Sequence, residues 1–339
     1  MAITTMKDVA ARAGASLGTV SNVLNRPDLV TPATRRRVEE AIAELGYVRN
    51  DSARQLRAGA SRIVAYVVID AGNPFFTEVA RGIDDGARAQ LSMVFICDSG
   101  SSATREDDYL AALLEQRVKG VCITPVNAAN PRLRQLVDRG LPVIMVDRTP
   151  FGEESKWCSV GVDDILGGDL ATTHVLDLGH IRVAYVGDTQ RFPQSMDRLA
   201  GARRAAARAG LPPDALRVLP TTTMRVDDGR EAGSRFLGLP KRERPTAAFC
   251  GNDLIALGFL QQMTRHGVSV PGDLAIVGYD DIEFAAAAAV PLTSVEQPKA
   301  EIGRMAAELL AAEAIQAADH IHRQVQLVPQ LVVRESTLG

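Results

Sequence analysis

At 339 residues the chain is too long for one small core, and its length suggests about two or three domains. Hydrophobic residues at 46% and charged residues at 23% exclude an intrinsically disordered chain. A net charge of −3 argues against nucleic acid as a partner of the whole chain, but residues 1–61 carry nine basic side chains against six acidic ones, a balance of +3 that leaves −6 for the remainder.

The first elements are short helices. Val9, Ala10 and Ala13 share one face of a predicted helix, and Val20, Val23 and Leu24 share one face of the next, at i, i+3, i+4 spacing. Gly14 falls where a tight turn between them needs a residue free of Cβ strain, and Ser16 is a good N-cap for the second. This pattern predicts a helix-turn-helix, whose second helix enters the DNA major groove. A third helix is expected from Thr31 to Leu45, followed by Gly46-Tyr47 and the stretch from Asn50 to Arg57.

Residues 4–57 resemble the DNA-binding headpiece of the lac repressor / galactose repressor family. The shared run is Lys7-Asp-Val-Ala-x-x-Ala-Gly-x-Ser-x-x-Thr-Val-Ser-x-Val-Leu-Asn25, with the hinge string after it. The resemblance implies DNA contacts from Thr5, Ser16, Leu17, Gly18, Thr19, Ser21, Asn22, Asn25 and Thr31. It also implies a hinge helix in which Asn50, Ala53 and Leu56 meet the minor groove, Leu56 acting as a wedge between base steps. The expected domains are a headpiece over 1–49, a hinge and linker over 50–61, and a body over 62–339.

From Arg62 onward short apolar runs alternate with helical segments. Strands are expected at 63–69, 93–97, 120–124, 142–147, 183–187, 247–250 and 274–278, with helices between them, and the pattern restarts near residue 160. Apolar runs separated by helices indicate parallel sheets, here in two similar α/β lobes. The region resembles the periplasmic sugar-binding-protein fold, which the same family uses as its effector domain. That resemblance implies three crossings between lobes, with an N-lobe of about 62–160 and 292–320 and a C-lobe of about 161–291 and 321–339.

Parallel sheets bind ligands at the carboxyl ends of their strands. Several residues at predicted strand ends suit a polyol: Asn73 with Phe75 and Phe76 after the first strand, Asp147-Arg148 after the fourth, Arg198, Asn252, and Asp280. With Gln297 the set is similar to the ribose-binding arrangement of pentose receptors and related repressors. One departure is that a loop position often aromatic in the family falls near Met224, and the stretch after Asp281 is altered to Ala285–Ala289. Each residue also has a plainer reading. Asn73-Pro74 would serve as a turn initiator, Phe75 and Phe76 as core anchors, and the Asp147 and Asp280 loops as helix caps or solvated charges.

Cys97, Cys122 and Cys250 lie in apolar strand-like runs and, with Cys158, form no C-x-x-C pair, which favours buried thiols over disulfides or metal ligands. His320-x-His322 lies near an expected lobe crossing and, without further ligands, reads as structural, so no metal or cofactor is expected. The chain has no G-x-G-x-x-G or Walker A signature. No opening run is of secretory type and none is long enough for a bilayer, so a cytoplasmic location is expected, with no membrane partner. The sequence therefore points to a homodimeric repressor that binds double-stranded operator DNA and responds to a small sugar, a ribose-like monosaccharide first. A sugar receptor for transport, a corepressor-dependent regulator and, more weakly, an enzyme of sugar metabolism stay open.

Overall fold

The computed structural model describes residues 4–48, 61–148, 157–315 and 320–338. The chain separates into two units, residues 1–60 and 61–339. In the first unit α1 (Met6–Ala13), α2 (Leu17–Asn25) and α3 (Pro32–Leu45) pack around Val9, Val20 and Val38, all fully buried. Asp8 starts α1 by accepting hydrogen bonds from the amide and hydroxyl of Thr5, at 2.8 and 2.7 Å. Gly14 ends it in the left-handed region at φ +57°. The third helix has Thr31 as its N-cap, so it begins at Pro32. Leu24 is only partly buried at the edge of this core.

The second unit runs β1 (Ile63–Val68), α4 (Pro74–Arg88), β2 (Met93–Asp98), α5 (Ala103–Glu115), β3 (Gly120–Ile123), α6 (Pro131–Asp138), β4 (Val143–Val146) and β5 (Cys158–Val162). Then follow α7 (Asp164–Asp177), β6 (Val183–Gly187), α8 (Pro193–Arg208), β7 (Leu216–Pro220), α9 (Val226–Leu237), β8 (Ala247–Cys250), α10 (Asp253–Arg265) and β9 (Ala275–Asp280). The unit ends with α11 (Glu283–Ala286), β10 (Thr293–Glu296), α12 (Lys299–Ile315), β11 (Gln324–Leu327) and β12 (Gln330–Val332). Two six-stranded sheets result, in the orders β11-β5-β4-β3-β1-β2 and β12-β10-β9-β8-β6-β7. Every pairing is parallel except that of β12 with β10. β3, β4 and β8 are wholly buried, as the unbroken apolar runs require.

The lobe boundaries differ from those expected. The first sheet keeps β5 through Val162, beyond residue 160. β10 pairs with β9 in the second sheet, Thr293 opposite Val277, so the crossing falls after Glu296 rather than near 292. β11 pairs with β5 in the first sheet, which moves the last crossing from about 320 to beyond Leu327. Four-residue strands of like periodicity fit either lobe, and only the hydrogen-bond register assigns them.

Candidate functional site

The start of α2 is exposed. Leu17 is 45% accessible, and Gly18 and Asn22 are exposed beside it. The hydroxyls around them are engaged in shaping the helix. Ser16 Oγ accepts the Thr19 amide at 3.0 Å and lies 2.9 Å from Thr19 Oγ1. Asn25 Nδ2 donates to the Ser21 carbonyl at 2.8 Å, and Thr31 Oγ1 donates to Thr34 Oγ1 at 3.0 Å. Asn22 has no side-chain partner among the described residues, so its amide is available to a base edge. Thr5 is committed to Asp8. Asn50, Ala53 and Leu56 lie outside the described residues.

In the second unit a cavity of about 270 Å³ opens at the carboxyl ends of the strands, between the two sheets. Asn73, Phe75, Phe76 and Asp147 line it from the first lobe, and Arg198, Met224, Asn252 and Asp280 from the second. The plainer reading of Asn73-Pro-Phe-Phe holds, and the same residues line the cavity. Asn73 Oδ1 caps α4 by accepting the Phe75 amide at 3.0 Å, and the two rings are core residues packed edge to face at 5.1 Å that also face the cavity.

The polar floor is built around Arg198, 4% exposed. Its Nε donates to Asp164 Oδ1 at 2.8 Å and its Nη1 to the Gly251 carbonyl at 2.7 Å. Its guanidinium lies 3.7 Å over the Tyr279 ring, and its Nη1 is 3.8 Å from Asp280 Oδ1. Burial alone would pull the Arg198 pKa down, but Asp164, Tyr279, Asp280 and Asp147 together push it well above the ordinary value. Asp280 accepts from Gln297 Nε2 at 2.7 Å and from Asn73 Nδ2 at 3.4 Å, while its own carbonyl accepts from Lys299 Nζ at 2.8 Å. Burial raises the Asp280 pKa against the pull of Arg198 and these donors. Burial, then the nearby Asp164 charge, raises Asp147 well above the carboxylate range. Asp147 Oδ2 accepts from Gln194 at 3.1 Å, but its buried Oδ1 has no hydrogen-bond partner among the described residues. Asp147 and Asp280 both have positive φ, +57° and +100°, a strained state for residues with a side chain.

Two expected residues sit elsewhere. The left-handed turn at Asp147 carries Arg148 away from the cavity into an adjoining hollow beside Asp163, Asp164 and Asp197. Gln297 is 1% exposed and stands behind Asp280 as its positioning partner rather than on the cavity wall. Other lining residues went unpredicted: Asp70, Ser101, Arg191, Phe192, Gln194, Ser195 and Arg225. Phe192 supplies from the second lobe the aromatic face that Met224 lacks. α8 begins at Pro193, which places Gln194 in its first turn against Asp147. At the other end of the first sheet, His320 and His322 meet two groups the sequence did not associate with them, Cys158 and Glu313. All four cysteines are free, Cys97 only half-buried. No helix among the described residues is long and apolar enough to cross a membrane.

Comparison with known proteins bears on both units. Residues 5–50 match the model for bacterial regulatory proteins of the lacI family, and residues 172–337 match that for a periplasmic binding protein-like domain. The HTH-type transcriptional repressor PurR of Aliivibrio fischeri (strain MJ11) is 33% identical over 338 residues, covering 99% of this chain and 98% of that protein. The ribose operon repressor of Escherichia coli (strain K12) is 35% identical over 336 residues, covering 98% and 99% respectively. A solved lac repressor dimer, bound to operator and the anti-inducer ONPF, matches with a TM-score of 0.82 at 26% identity over 100% of both chains. A helical DNA-binding headpiece joined in one chain to a two-lobed binding body places the protein in the lacI family of transcriptional regulators.

Proposed function

We propose that the protein is a homodimeric repressor whose hold on a pseudo-palindromic operator is set by a monosaccharide, of ribose type, bound in the cleft between its lobes. One observation carries the ligand class. The unpartnered Asp147 Oδ1 belongs to a cavity lining that combines a buried arginine, a second buried aspartate and aromatic faces. Such a set binds clustered hydroxyls by charge-assisted hydrogen bonds and covers the C–H face of a sugar ring with Phe75, Phe76 and Phe192. A cavity of about 270 Å³ lies at the small end of ligand sites, which run from roughly 300 Å³ upward, and favours a single sugar ring over a disaccharide. The relative named for the ribose operon supports a pentose, and the solved operator-bound dimer supports the assembly and the DNA partner.

The test is calorimetric titration of a pentose and hexose panel against the wild type and Asp280→Asn, with operator retardation in parallel. Losing a hydrogen bond to a charged group costs about 1.5–3 kcal/mol, so the mutant should bind its sugar roughly 10- to 150-fold more weakly. It should still bind operator in the absence of sugar. Failure of every sugar to bind the wild type, or wild-type affinity in the mutant, would remove the sugar from this cleft.

A further inference from the structure

We propose that Cys158, Glu313, His320 and His322 form a binding site for one zinc-class transition-metal ion, at the end of the first sheet opposite the effector cleft. Strand pairing assembles the four. Cys158 is the first residue of β5, and the lead-in to β11 is bonded to β5 through the Ser159 amide and the Arg323 carbonyl at 2.9 Å. His320 and His322 are two apart in this extended segment, so both rings fall on the same side, with centroids 5.4 Å apart. Ile321 between them is 82% exposed on the other side. Glu313 reaches the same point from the last turn of α12.

The distances suit a shared ion. Cys158 Sγ is 3.0 Å from His320 Nε2 and 3.9 Å from His322 Nδ1, which is itself 3.9 Å from Glu313 Oε2. Each residue has a ligand atom within 4.8 Å of the others. Tetrahedral coordination with bonds of about 2.0–2.3 Å separates neighbouring donors by roughly 3.3–3.8 Å, close to what is seen. The groups are also poorly satisfied by protein alone. Glu313 Oε2 is buried without a hydrogen-bond partner among the described residues, and neither lysine nor arginine pairs with Glu313 there. The Arg323 amide donates to Cys158 Sγ at 3.4 Å, a contact that favours a thiolate. A bound ion takes the place of the thiol proton, which is released to solvent. One thiolate, two imidazoles and one carboxylate select zinc, cobalt or nickel over magnesium or calcium. Such an ion ties α12, β5 and β11 together.

Cobalt(II) titrated into reduced full-length protein should bind one equivalent per chain, with tetrahedral d–d bands and a thiolate-to-cobalt charge-transfer band. Zinc should displace it and magnesium should not. Cys158→Ser should abolish the charge-transfer band and weaken binding by at least about tenfold, the loss that even indirect ligand changes produce. His322→Ala should weaken binding similarly and serves if the serine variant folds poorly. Cys97→Ser, which removes a thiol outside the cluster, should leave the spectrum unchanged. No stoichiometric cobalt binding by the wild type, or an undiminished charge-transfer band in Cys158→Ser, overturns the site.

Discussion

Asn22 stands exposed on α2 with its amide unclaimed, while Ser16, Thr19, Ser21 and Asn25 hydrogen-bond within the helix. Leu17 and Gly18 bring no side-chain donor to a base edge. Asn22 is therefore expected to carry most of the polar base readout, in the geometry by which an amide pairs with adenine N6 and N7. Asn22→Ala should cost about 1–3 kcal/mol at one operator position and relax the preference there. Selection of binding sites by the mutant checks this; an unchanged consensus would return the readout to other residues. In the cleft, Arg198 is less suitable for truncation than its position suggests. Removing it strands Asp164 and Asp280 in the interior, a loss of about 3–5 kcal/mol that mixes folding with binding. The strand-end residues were legible because each follows an apolar run at a place where parallel sheets bind ligands. Asp70, Ser101, Arg191 and Arg225 were not, because their pairing runs across the cleft: Arg225 Nε to Asp70 Oδ2 at 3.0 Å, and Arg191 Nη2 to the Ser101 carbonyl at 3.4 Å. Nothing in the spacing along the chain marks such a pair.

Among the helices, α7 and α8 hold the site through an approach that only glycine permits. A Cβ on Gly168 would lie 1.9 Å from the Arg198 carbonyl oxygen, and one on Gly201 would lie 2.0 Å from that of Ile165. Gly82 with Gly303, and Gly229 with Gly258, give two further helix pairs the same close crossing. Gly168→Ala should thus force the helices apart, lower the melting temperature and weaken sugar binding together, since Arg198 sits at the contact. Unchanged stability would show that the crossing adapts. A polar clamp joins the same helices: Asp169 on α7 accepts from Arg204 at 2.8 Å and from Arg208 through both oxygens at 2.7 Å. The Arg208 hydrogen bonds, with those of Arg204, outweigh burial and hold the Asp169 pKa at about 2, below the ordinary 3.8. Its stabilisation is therefore present above pH 3.8 and lost as pH falls through about 2. Both arginines are half exposed, so the effect is modest, but melting temperature should fall more steeply with acid in the wild type than in Asp169→Asn. Parallel profiles would argue against the clamp. The helices between the expected strands, and seven of the twelve strands, were readable from periodicity, but the interior strands β5 and β10, which adjoin lobe crossings, were not. Nor were β7, β11 and β12, edge strands with alternating or partial burial, and the glycine crossings leave no trace in a hydrophobic pattern.

At the scale of the whole molecule, the backbone links the two lobes of the body where it crosses between sheets, after β5, β10 and β11, an arrangement suited to hinge closure. Asn73 to Asp280, Gln194 to Asp147, and Arg225 to Asp70 all connect one lobe with the other, so Asp147 and Asp280, proposed to bind sugar, also help to hold the lobes together. A ligand that completes the unpartnered Asp147 oxygen favours the closed arrangement by its differential contacts, which is the only way a ligand shifts such an equilibrium. If closure disfavours the operator-binding arrangement of the proposed dimer, thermodynamic linkage makes the effect reciprocal. Sugar and operator must weaken each other by the same factor, typically about 5- to 150-fold. Calorimetric titration of sugar with and without saturating operator duplex gives one factor, and operator titration followed by fluorescence anisotropy, with and without saturating sugar, gives the other. Equal factors in the weakening direction are expected. Mutual strengthening would make the sugar a corepressor, and a factor of one would mean that the cleft and the headpiece do not communicate.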